Sequence, residues 1–383
     1  MKILHLLSNR KWTNCSEIVA NLVGAQLALG LDASLVCGRA KHLNDDALEC
    51  QLRKAGIEPL VLWMTKHFRL RSFFSDVSAL RAILREGDYD IIHVHLLNAH
   101  LIAAFSAMFL GAGFSRTGLP IVVNSYDPLG YGLCLRSYLL GCFSCRAMSV
   151  ISQEAKKLSA KRLRLAPSRV EVIEPGIDLE RFDPHRGISS DFDPGGIDDS
   201  HFVVGVVSRI RGDRRLSLLI EAVALIADAL PRLRLLLIGR GEGEPELRAL
   251  VSELSLCDRV IFGGYCRGDD LVCAYRRMHV LAYPVCGSDR TCRTVREAMA
   301  SGLSVICPSE GYLTELLEED STALFVESSA HSYALAFHSL AKDRDRAKAM
   351  GGNALREAKR RFSLELQAKR TLSLYERVSV DGL

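Results

Sequence analysis

Short apolar runs alternate with amphipathic helical patterns along almost the whole chain, and this alternation restricts the fold more than any other feature. One series of runs extends from Lys2 to Ile151 and a second from Phe202 to Ile306. Strands that are each followed by a helix build parallel sheets with helices on both faces. The 383 residues are enough for two ordinary domains. We therefore predict an α/β protein with two Rossmann-like domains.

The predicted elements follow from the spacing of apolar residues. The predicted strands are Lys2–Leu7, Ala33–Cys37, Pro59–Trp63, Ile91–His95, Ile121–Asn124, Ala147–Ile151, Phe202–Ser208, Leu233–Ile238, Val260–Phe262, Val280–Tyr283 and Val305–Ile306. The predicted helices are Ser16–Leu29, Phe74–Arg85, Ala99–Leu110, Leu216–Ala229, Glu246–Leu254 and Leu364–Val378.

A polar stretch rich in proline and glycine interrupts the alternation and predicts the domain boundaries. We expect a first domain over 1–182, a linker over 183–200, a second domain over 201–362 and a final helix over 363–383. Ligands of open α/β sheets bind beyond the carboxyl ends of the strands. Two such domains facing each other would leave a cleft for two substrates.

Composition excludes several classes of protein. The net charge of +4 is too small for a dedicated nucleic-acid binder. The start of the chain reads as a buried strand and not as a secretory signal, so we expect a cytoplasmic protein.

Among the 12 cysteines only Cys142 and Cys145 form a C-x-x-C pair. Reduced thiols that pack as small apolar groups are one reading, and a metal or redox pair is the other.

The segment from Tyr283 to Ile306 contains the most informative motif. An apolar strand leads into a polar loop that contains Asp289, then into a short helix that contains Glu297, then into another strand. Free N–H groups and the positive dipole end make the start of such a helix suitable for phosphate. A carboxylate one or two turns further on can accept hydrogen bonds from sugar hydroxyls.

Two further loops have the residue types of a phosphate site. The first predicted strand of the second domain is followed by Arg209 and then by Arg214, a spacing that allows two cations to hold a diphosphate. A solvated basic loop is the alternative. A glycine-rich turn containing Gly239 follows the next strand, and Gly264 and Tyr265 follow the strand after that. A tight turn alone could explain at least one glycine.

These motifs together resemble retaining glycosyltransferase family 4. The resemblance rests on the two acids with seven residues between them, on the basic loop, and on the run Val172–Phe182 with its Pro175-Gly176-Ile177-Asp178 core. It implies a GT-B fold, whose C-terminal helix crosses back to the first domain. It also implies a metal-independent transfer from a nucleotide-diphosphate sugar, without a cofactor and with retention of configuration.

The resemblance assigns roles to individual residues. Glu297 would accept hydrogen bonds from the ribose, and Asp289 would lie near the donor sugar. The implied catalytic residues are Arg209, Arg214, Asp289, Tyr126 and Asp127, and the implied donor-binding residues are Asn14, Cys15, Gly239, Gly264, Tyr265, Arg290, Thr291, Cys292, Arg293 and Glu297. Arg290, Arg293 and Arg296 share one region, where they either face solvent or favour an acidic donor or acceptor.

The first domain departs from the family pattern. Asn14-Cys15 stand where the family often has two glycines in the loop after the first strand, and Tyr126-Asp127 stand where it often has His-Asp. A tyrosine cannot carry an imidazolium charge. His93 and His95 end a predicted strand; a metal site is one reading, but the resemblance implies no metal.

The segment 63–74 interleaves cations with large apolar side chains. This pattern suits contact with an anionic membrane surface, which would make the protein peripheral at the inner face of the cell membrane. An ordinary loop and helix start is the alternative. We expect no nucleic-acid partner.

The expected activity is sugar transfer to a glycan or lipid-linked acceptor in cell-surface polysaccharide or lipopolysaccharide synthesis. A catalytically silent subunit that binds or scaffolds a glycan-synthesis complex is the main alternative, favoured by the departures at residues 14–15, 126 and 289. A nucleotide-sugar epimerase of the same architecture is a further one.

Overall fold

The computed structural model describes residues 1–44, 46–108, 119–285 and 291–380. The chain divides into two compact units, the first comprising residues 1–177 with 363–383 and the second comprising residues 178–362. Each unit is built on one parallel sheet.

The first sheet has seven strands in the order β3-β2-β1-β4-β5-β6-β7. They are β1 Lys2–Leu7, β2 Asp32–Gly38, β3 Leu60–Leu62, β4 Ile91–Val94, β5 Ile121–Ser125, β6 Cys145–Val150 and β7 Val170–Val172. The helices of this unit are α1 Asn14–Ala28, α2 Leu48–Lys54, α3 Leu70–Gly87, α4 Leu97–Met108, α5 Leu135–Ser144, α6 Gln153–Leu163 and, at the end of the chain, α15 Leu364–Val380.

The second sheet has six strands in the order β10-β9-β8-β11-β12-β13. They are β8 Phe202–Val207, β9 Leu233–Ile238, β10 Val260–Gly264, β11 Val280–Ala282, β12 Ser304–Cys307 and β13 Ala323–Phe325. The helices are α7 Leu179–Phe182, α8 Leu216–Leu225, α9 Glu244–Glu253, α10 Asp269–Arg276, α11 Arg293–Ala300, α12 Leu313–Leu316, α13 Ala330–Lys342 and α14 Arg344–Arg361.

In both sheets the order in which strands are added changes side once. The chain starts in the middle of each sheet, builds outwards to one side, and then crosses to the other side next to its first strand. The crossing lies between β1 and β4 in the first unit and between β8 and β11 in the second. Such a crossing opens a crevice at the carboxyl ends of the strands, where ligands bind in folds of this kind.

Burial explains why these segments are strands. All residues of β4 and β12 are buried, as expected of parallel strands that have helices on both faces. The apolar runs are therefore continuous in the central strands. Leu235 and Leu237 of β9 pack in one core cluster with Leu219 and Val223 of α8.

The C-terminal helix α15 belongs to the first unit, as the resemblance implied. Its Leu374 and Val378 pack with Ile3 of β1 and Ile91 of β4 in one buried cluster. The predicted strands correspond to observed strands, whereas β7 and β13 were not predicted. Both are edge strands of three residues, too short to show a period.

The segment 183–200 contains no helix or strand and lies within the second unit. Its Ser190 hydroxyl donates to Asp270 Oδ1 at 2.8 Å, so this stretch is held against α10. Phe182, just before it, is 2% exposed and packs edge-on against Tyr275 at 5.8 Å between ring centroids. The phenylalanine of the family-like segment thus anchors the chain at this point.

Candidate functional site

The candidate site of the second unit begins with two loops at the carboxyl end of its sheet. The loop after β8 and the loop after β9 are joined by backbone hydrogen bonds: Ile210 N–H donates to Arg240 O at 3.2 Å, and Gly243 N–H donates to Ile210 O at 3.1 Å. Gly239 has φ +145°, and a Cβ there would lie 1.8 Å from Ser208 O. Glycine is therefore required here for close packing of the two loops.

The arginines predicted to hold a diphosphate lie in the loop after β8. Arg209 is exposed. Arg214 is buried, and its Nε lies 3.6 Å from Asp213 Oδ1. Arg211, which was not singled out from the sequence, is paired with Glu242 at 3.3 Å. The loop therefore combines an exposed guanidinium with others held in place by carboxylates.

Gly264 and Tyr265 stand at the end of β10 in the same region of the sheet. Gly264 has φ +70°, a value that favours glycine, and its carbonyl accepts from Gly239 N–H at 2.7 Å. The Tyr265 side chain is 58% exposed, and the Arg240 guanidinium stacks on its ring at 4.5 Å from the centroid. An exposed aromatic ring beside cations can stack against a flat ligand.

Glu297 lies on α11, the helix that follows β11 across the crossing. Its residue is 3% exposed. Tyr275 Oη donates to Glu297 Oε2 at 2.9 Å, and Arg293 Nε donates to Oε1 at 2.6 Å. These two partners fix the position of the carboxylate and offset the cost of burying its charge. Each oxygen has a further lone pair for a ligand hydroxyl.

The structure describes three of the other residues predicted around this helix, and all three are buried. Thr291 and Cys292 are buried, and Cys292 has φ +48° immediately before α11 begins. Arg296 is fully buried, with its guanidinium 5.8 Å from the centre of the Phe362 ring. The alternative that Arg296 faces solvent is therefore wrong. Asp289 and Arg290 lie outside the described residues.

In the first unit the corresponding edge is formed by the loop after β1 and the start of α1. Asn14 and Cys15 are the first two residues of α1 and not loop residues, because the Thr13 side chain caps the helix by accepting from Ser16 N–H. Burial raises the pKa of the Cys15 thiol to about 12. The thiol is therefore neutral, and the helix start is free of negative charge at these positions.

Tyr126 and Asp127 follow β5 and differ in their roles. Tyr126 packs against the same buried cluster as Cys15 and Leu96, and its hydroxyl is 3.1 Å from His95 Nδ1. Burial raises its pKa well above the usual value. Asp127 Oδ1 accepts from Leu129 N–H at 3.0 Å, so its carboxylate closes a turn.

Three buried histidines, His5, His93 and His95, lie beneath Tyr126. His5 Nδ1 is 3.0 Å from His95 Nε2. Burial lowers the pKa of His5 to about 4 and lowers that of the other two well below the usual value. All three are therefore neutral near pH 7. The sequence indicated His93 and His95 through their positions at a strand end, but gave no sign of His5.

Two other predicted features have structural explanations. Cys142 and Cys145 are free thiols, and burial raises the pKa of Cys145 to about 12. Gly176, predicted to allow close approach at a ligand cleft, instead allows close approach of α15: its N–H donates to Gln367 Oε1 at 2.8 Å, and a Cβ there would lie 3.0 Å from Leu364 Cα.

The segment 63–74 exposes large apolar side chains. Trp63 is 53% exposed and Phe74 69% exposed. On α5, Leu135, Leu139 and Phe143 form a stripe with i, i+4, i+8 spacing and exposures of 74%, 43% and 84%. The Arg136 guanidinium joins the two regions, because it lies 5.1 Å from the centre of the Phe68 ring. Together they form an apolar surface that includes cations, and we call it the α3–α5 surface.

Among the described residues, no helix is both long and apolar enough to cross a membrane.

Comparison with known families agrees with the fold. The family model described as Glycosyltransferase Family 4 matches residues 16–181, and the model described as Glycosyl transferases group 1 matches residues 188–357. The two matches together cover most of the chain. The two parallel, Rossmann-like sheets are those of the GT-B class, and this chain belongs to glycosyltransferase family 4.

Among the relatives of this chain, a D-inositol 3-phosphate glycosyltransferase of Streptomyces bingchenggensis is 28% identical over 60% of this chain and 52% of its own length. A lipopolysaccharide core biosynthesis mannosyltransferase of Rhizobium meliloti is 26% identical over 54% of this chain and 60% of its own length. The chain thus spans about half the length of the first of these relatives.

Among solved structures, Anabaena HepE in complex with UDP has a TM-score of 0.76 at 20% identity and covers 97% of this chain, which spans 99% of that protein. The apo form of the lipopolysaccharide outer core galactosyltransferase WaaB has a TM-score of 0.70 at 15% identity, with 100% of both chains covered. These similarities confirm the predicted fold class.

Proposed function

We propose that the protein transfers a sugar from a nucleotide-diphosphate donor to an acceptor hydroxyl, with retention and without a divalent cation, in cell-surface polysaccharide or lipopolysaccharide synthesis. The named relatives are glycosyltransferases, the structural neighbour WaaB is a lipopolysaccharide outer core galactosyltransferase, and the structural neighbour HepE binds UDP. The second unit would hold the donor, and the first unit would form the acceptor side.

The observation that carries the proposal is the orientation of Glu297. A carboxylate fixed by Tyr275 and Arg293, at the crossing of a parallel sheet, has the geometry to accept hydrogen bonds from a ribose diol. The neighbouring Tyr265 ring would lie against the base. Backbone N–H groups at residues 290–293 would contact the phosphate and the sugar, and Gly239 and Gly264 would let the nucleotide approach the loops.

The proposed mechanism follows from where charge develops. Cleavage of the bond between sugar and phosphate places negative charge on the leaving diphosphate and positive charge on the sugar ring. Arg209 and Arg214, with backbone N–H groups before α11, would stabilise the diphosphate. Asp289 would lie near the donor sugar. The leaving phosphate would take the acceptor proton, as the family's retention implies.

The first unit would contribute neutral groups. Asn14 and Cys15 would offer N–H groups of the first turn of α1 to the donor phosphate, since the neutral thiol does not repel it. Tyr126 would contact the donor sugar through its hydroxyl. Asp127 would shape the loop that positions Tyr126.

We also propose that the α3–α5 surface rests on an anionic membrane that carries a lipid-linked acceptor. The sequence has no Asp or Glu between Glu58 and Asp76, nor between Asp127 and Glu154. The exposed apolar stripe on α5 is too pronounced for an isolated water-facing helix. Apolar burial with attraction to anionic headgroups is the usual mode of interfacial binding.

Thermal shifts with UDP-, GDP- and ADP-sugars would test donor binding. A ligand that binds only the folded state raises Tm by mass action. We expect one donor class to raise Tm of the wild type, and Glu297→Gln to abolish the rise. The control is Glu246→Gln, because Glu246 is exposed on α9, and it should respond as the wild type does.

Donor hydrolysis without acceptor would then separate catalysis from binding. Release of free sugar and nucleotide supports the enzyme. Binding without any turnover, with or without acceptor extracts, would favour the silent-subunit alternative. Conversion of the donor to an isomeric nucleotide sugar would indicate an epimerase.

A further inference from the structure

Six buried or partly buried side chains of the first unit form one continuous hydrogen-bonded chain. Its members come from β1, α1, β4, the loops after β4 and β5, and α15. In order they are Tyr126, His95, His5, Gln26, Tyr375 and His93, with successive polar atoms 3.1, 3.0, 2.7, 3.3 and 2.6 Å apart. Residues 5, 26, 93 and 375 are completely buried, so water does not compete for these bonds.

The amide of Gln26 sets the direction of the chain. Its Nε2 faces Tyr375 Oη and its Oε1 faces His5 Nε2. An amide nitrogen only donates and an amide oxygen only accepts. His5 must therefore carry its proton on Nε2, and Tyr375 Oη must accept from Gln26.

On the His5 side of Gln26, the proton position of each ring determines which atom of the next group donates. A neutral His5 that is protonated on Nε2 has a lone pair on Nδ1, so His95 donates to it from Nε2. His95 in turn has a lone pair on Nδ1, which accepts the Tyr126 hydroxyl proton. Each step depends on the rings being neutral, as their lowered pKa values require.

On the other side, Tyr375 still has its own hydroxyl proton to donate, and we assign this proton to His93 Nδ1, which lies 2.6 Å from Tyr375 Oη. His93 therefore carries its remaining proton on Nε2, and this atom has no hydrogen-bond partner in the described part of the chain. The hydrogen-bonded chain thus starts at the Tyr126 hydroxyl, at the edge of the sheet. It ends in the interior at the His93 Nε2–H, which has no partner among the described residues.

We propose that this chain makes Tyr126 a pure hydrogen-bond acceptor towards the ligand, and that Tyr375 and Gln26 are positioning residues that enforce this state. Because the phenol proton is committed to His95, only the oxygen lone pairs of Tyr126 are available outside the chain. The ligand group that docks there must donate, so it is a sugar hydroxyl and not a phosphate or carboxylate oxygen. This selectivity rests on the proposed function.

A metal ion would need a different arrangement. One nitrogen each of His5, His93 and His95 lie within 4.8 Å of one another. To bind an ion through the nitrogen that faces His5, His95 would have to move its proton to Nδ1. His95 Nδ1 would then donate to the Tyr126 oxygen, which reverses this step of the hydrogen-bonded chain.

Histidine ¹⁵N NMR of the full-length protein at pH 7 tests the direction without any substrate. We expect neutral rings protonated on Nε2 for all three histidines. Protonation on Nδ1 in all three would mean that the chain runs in the opposite sense, and it would overturn the proposal. Protonation of His95 and His93 on Nδ1 together with stoichiometric bound metal would replace it with a metal site.

The substitution Tyr375→Phe tests whether Tyr375 determines the hydrogen-bonding state of Tyr126. It keeps the ring that packs on His93 but removes the hydroxyl that orients the Gln26 amide. We expect both tautomers of His95 to appear in the spectrum and the kcat/KM for nucleotide release to fall about tenfold, as for one lost hydrogen bond. In a Tyr126→Phe background the same substitution should change kcat/KM less than about twofold.

An equal loss from Tyr375→Phe in both backgrounds, with an unchanged His95 tautomer, would show that Tyr375 acts only on stability. Circular dichroism melts of each variant identify misfolding. If the wild type turns over no nucleotide sugar, the proposed function fails, while the NMR spectrum still decides the direction of the chain.

Discussion

The two units have the same kind of sheet, with one crossing each, but their carboxyl edges differ in charge. In the second unit Glu297 is held by a guanidinium and a phenol, with further arginines in the loop after β8. In the first unit the side chains linked to Tyr126 are neutral histidines, an amide and a phenol, and the neighbouring Asp127 carboxylate is tied into a turn. The comparison suggests that one topology serves two tasks: charged groups suit a diphosphate and neutral groups suit sugar hydroxyls.

The largest expected difference between the units is in their response to acid. The folded pKa of His5 is about 4 and those of His93 and His95 are also far below 6.5. The three histidines therefore make their full contribution to the free energy of unfolding well above pH 6.5. This contribution is lost as the pH falls towards the folded pKa values, because the histidines of the unfolded chain take up protons first. Each histidine lowers the free energy of unfolding by at most about 1.4 kcal/mol for each unit by which the pH falls.

Between pH 6 and 5 we therefore expect the first unit to lose up to about 4 kcal/mol of its unfolding free energy. Hydrogen exchange followed across this range would resolve the two units. Earlier loss of protection in the second unit would contradict the assignment of neutral buried histidines.

The next largest effect should come from the loops of the second unit. Gly239→Ala would place a Cβ 1.8 Å from a backbone oxygen at a positive φ, so we expect a loss of about 3 kcal/mol. Urea unfolding would measure it. Gly212→Ala is the matched control, since a Cβ there meets nothing within 4 Å; similar losses in both variants would refute the close packing of the two loops.

A smaller effect is expected from Tyr275→Phe, which removes one of the two hydrogen bonds to Glu297. A hydrogen bond to a buried charged group contributes about 2 kcal/mol. We expect donor affinity to fall about tenfold or more, measured by isothermal titration. Unchanged affinity with normal folding would show that the orientation of Glu297 does not matter for the donor.

The smallest effect concerns the α3–α5 surface. Phe143→Glu should weaken sedimentation with vesicles that contain anionic lipid by several-fold, with little effect on stability, because Phe143 is 84% exposed. Leu225→Glu is the control, since Leu225 is 60% exposed on α8 of the second unit. If neither variant differs from the wild type, the membrane proposal fails.

The sequence predicted the strands well because apolar periodicity reports burial directly, and it indicated Glu297 through the helix that follows a polar loop. It did not reveal Tyr275, which occupies a buried position on a separate helix. It could not reveal the link between Gln26 and Tyr375, which are 349 positions apart. Such contacts depend on how α15 packs on the first sheet, and no local pattern encodes that packing.

We propose above all that the charged edge of the second unit binds the nucleotide. Hydrogen exchange with a saturating donor, chosen by thermal shift, tests it most directly. The claim predicts the strongest added protection in residues 208–215 and 293–300, with less at 8–16. Protection confined to the first unit, or none with bound donor, would contradict it.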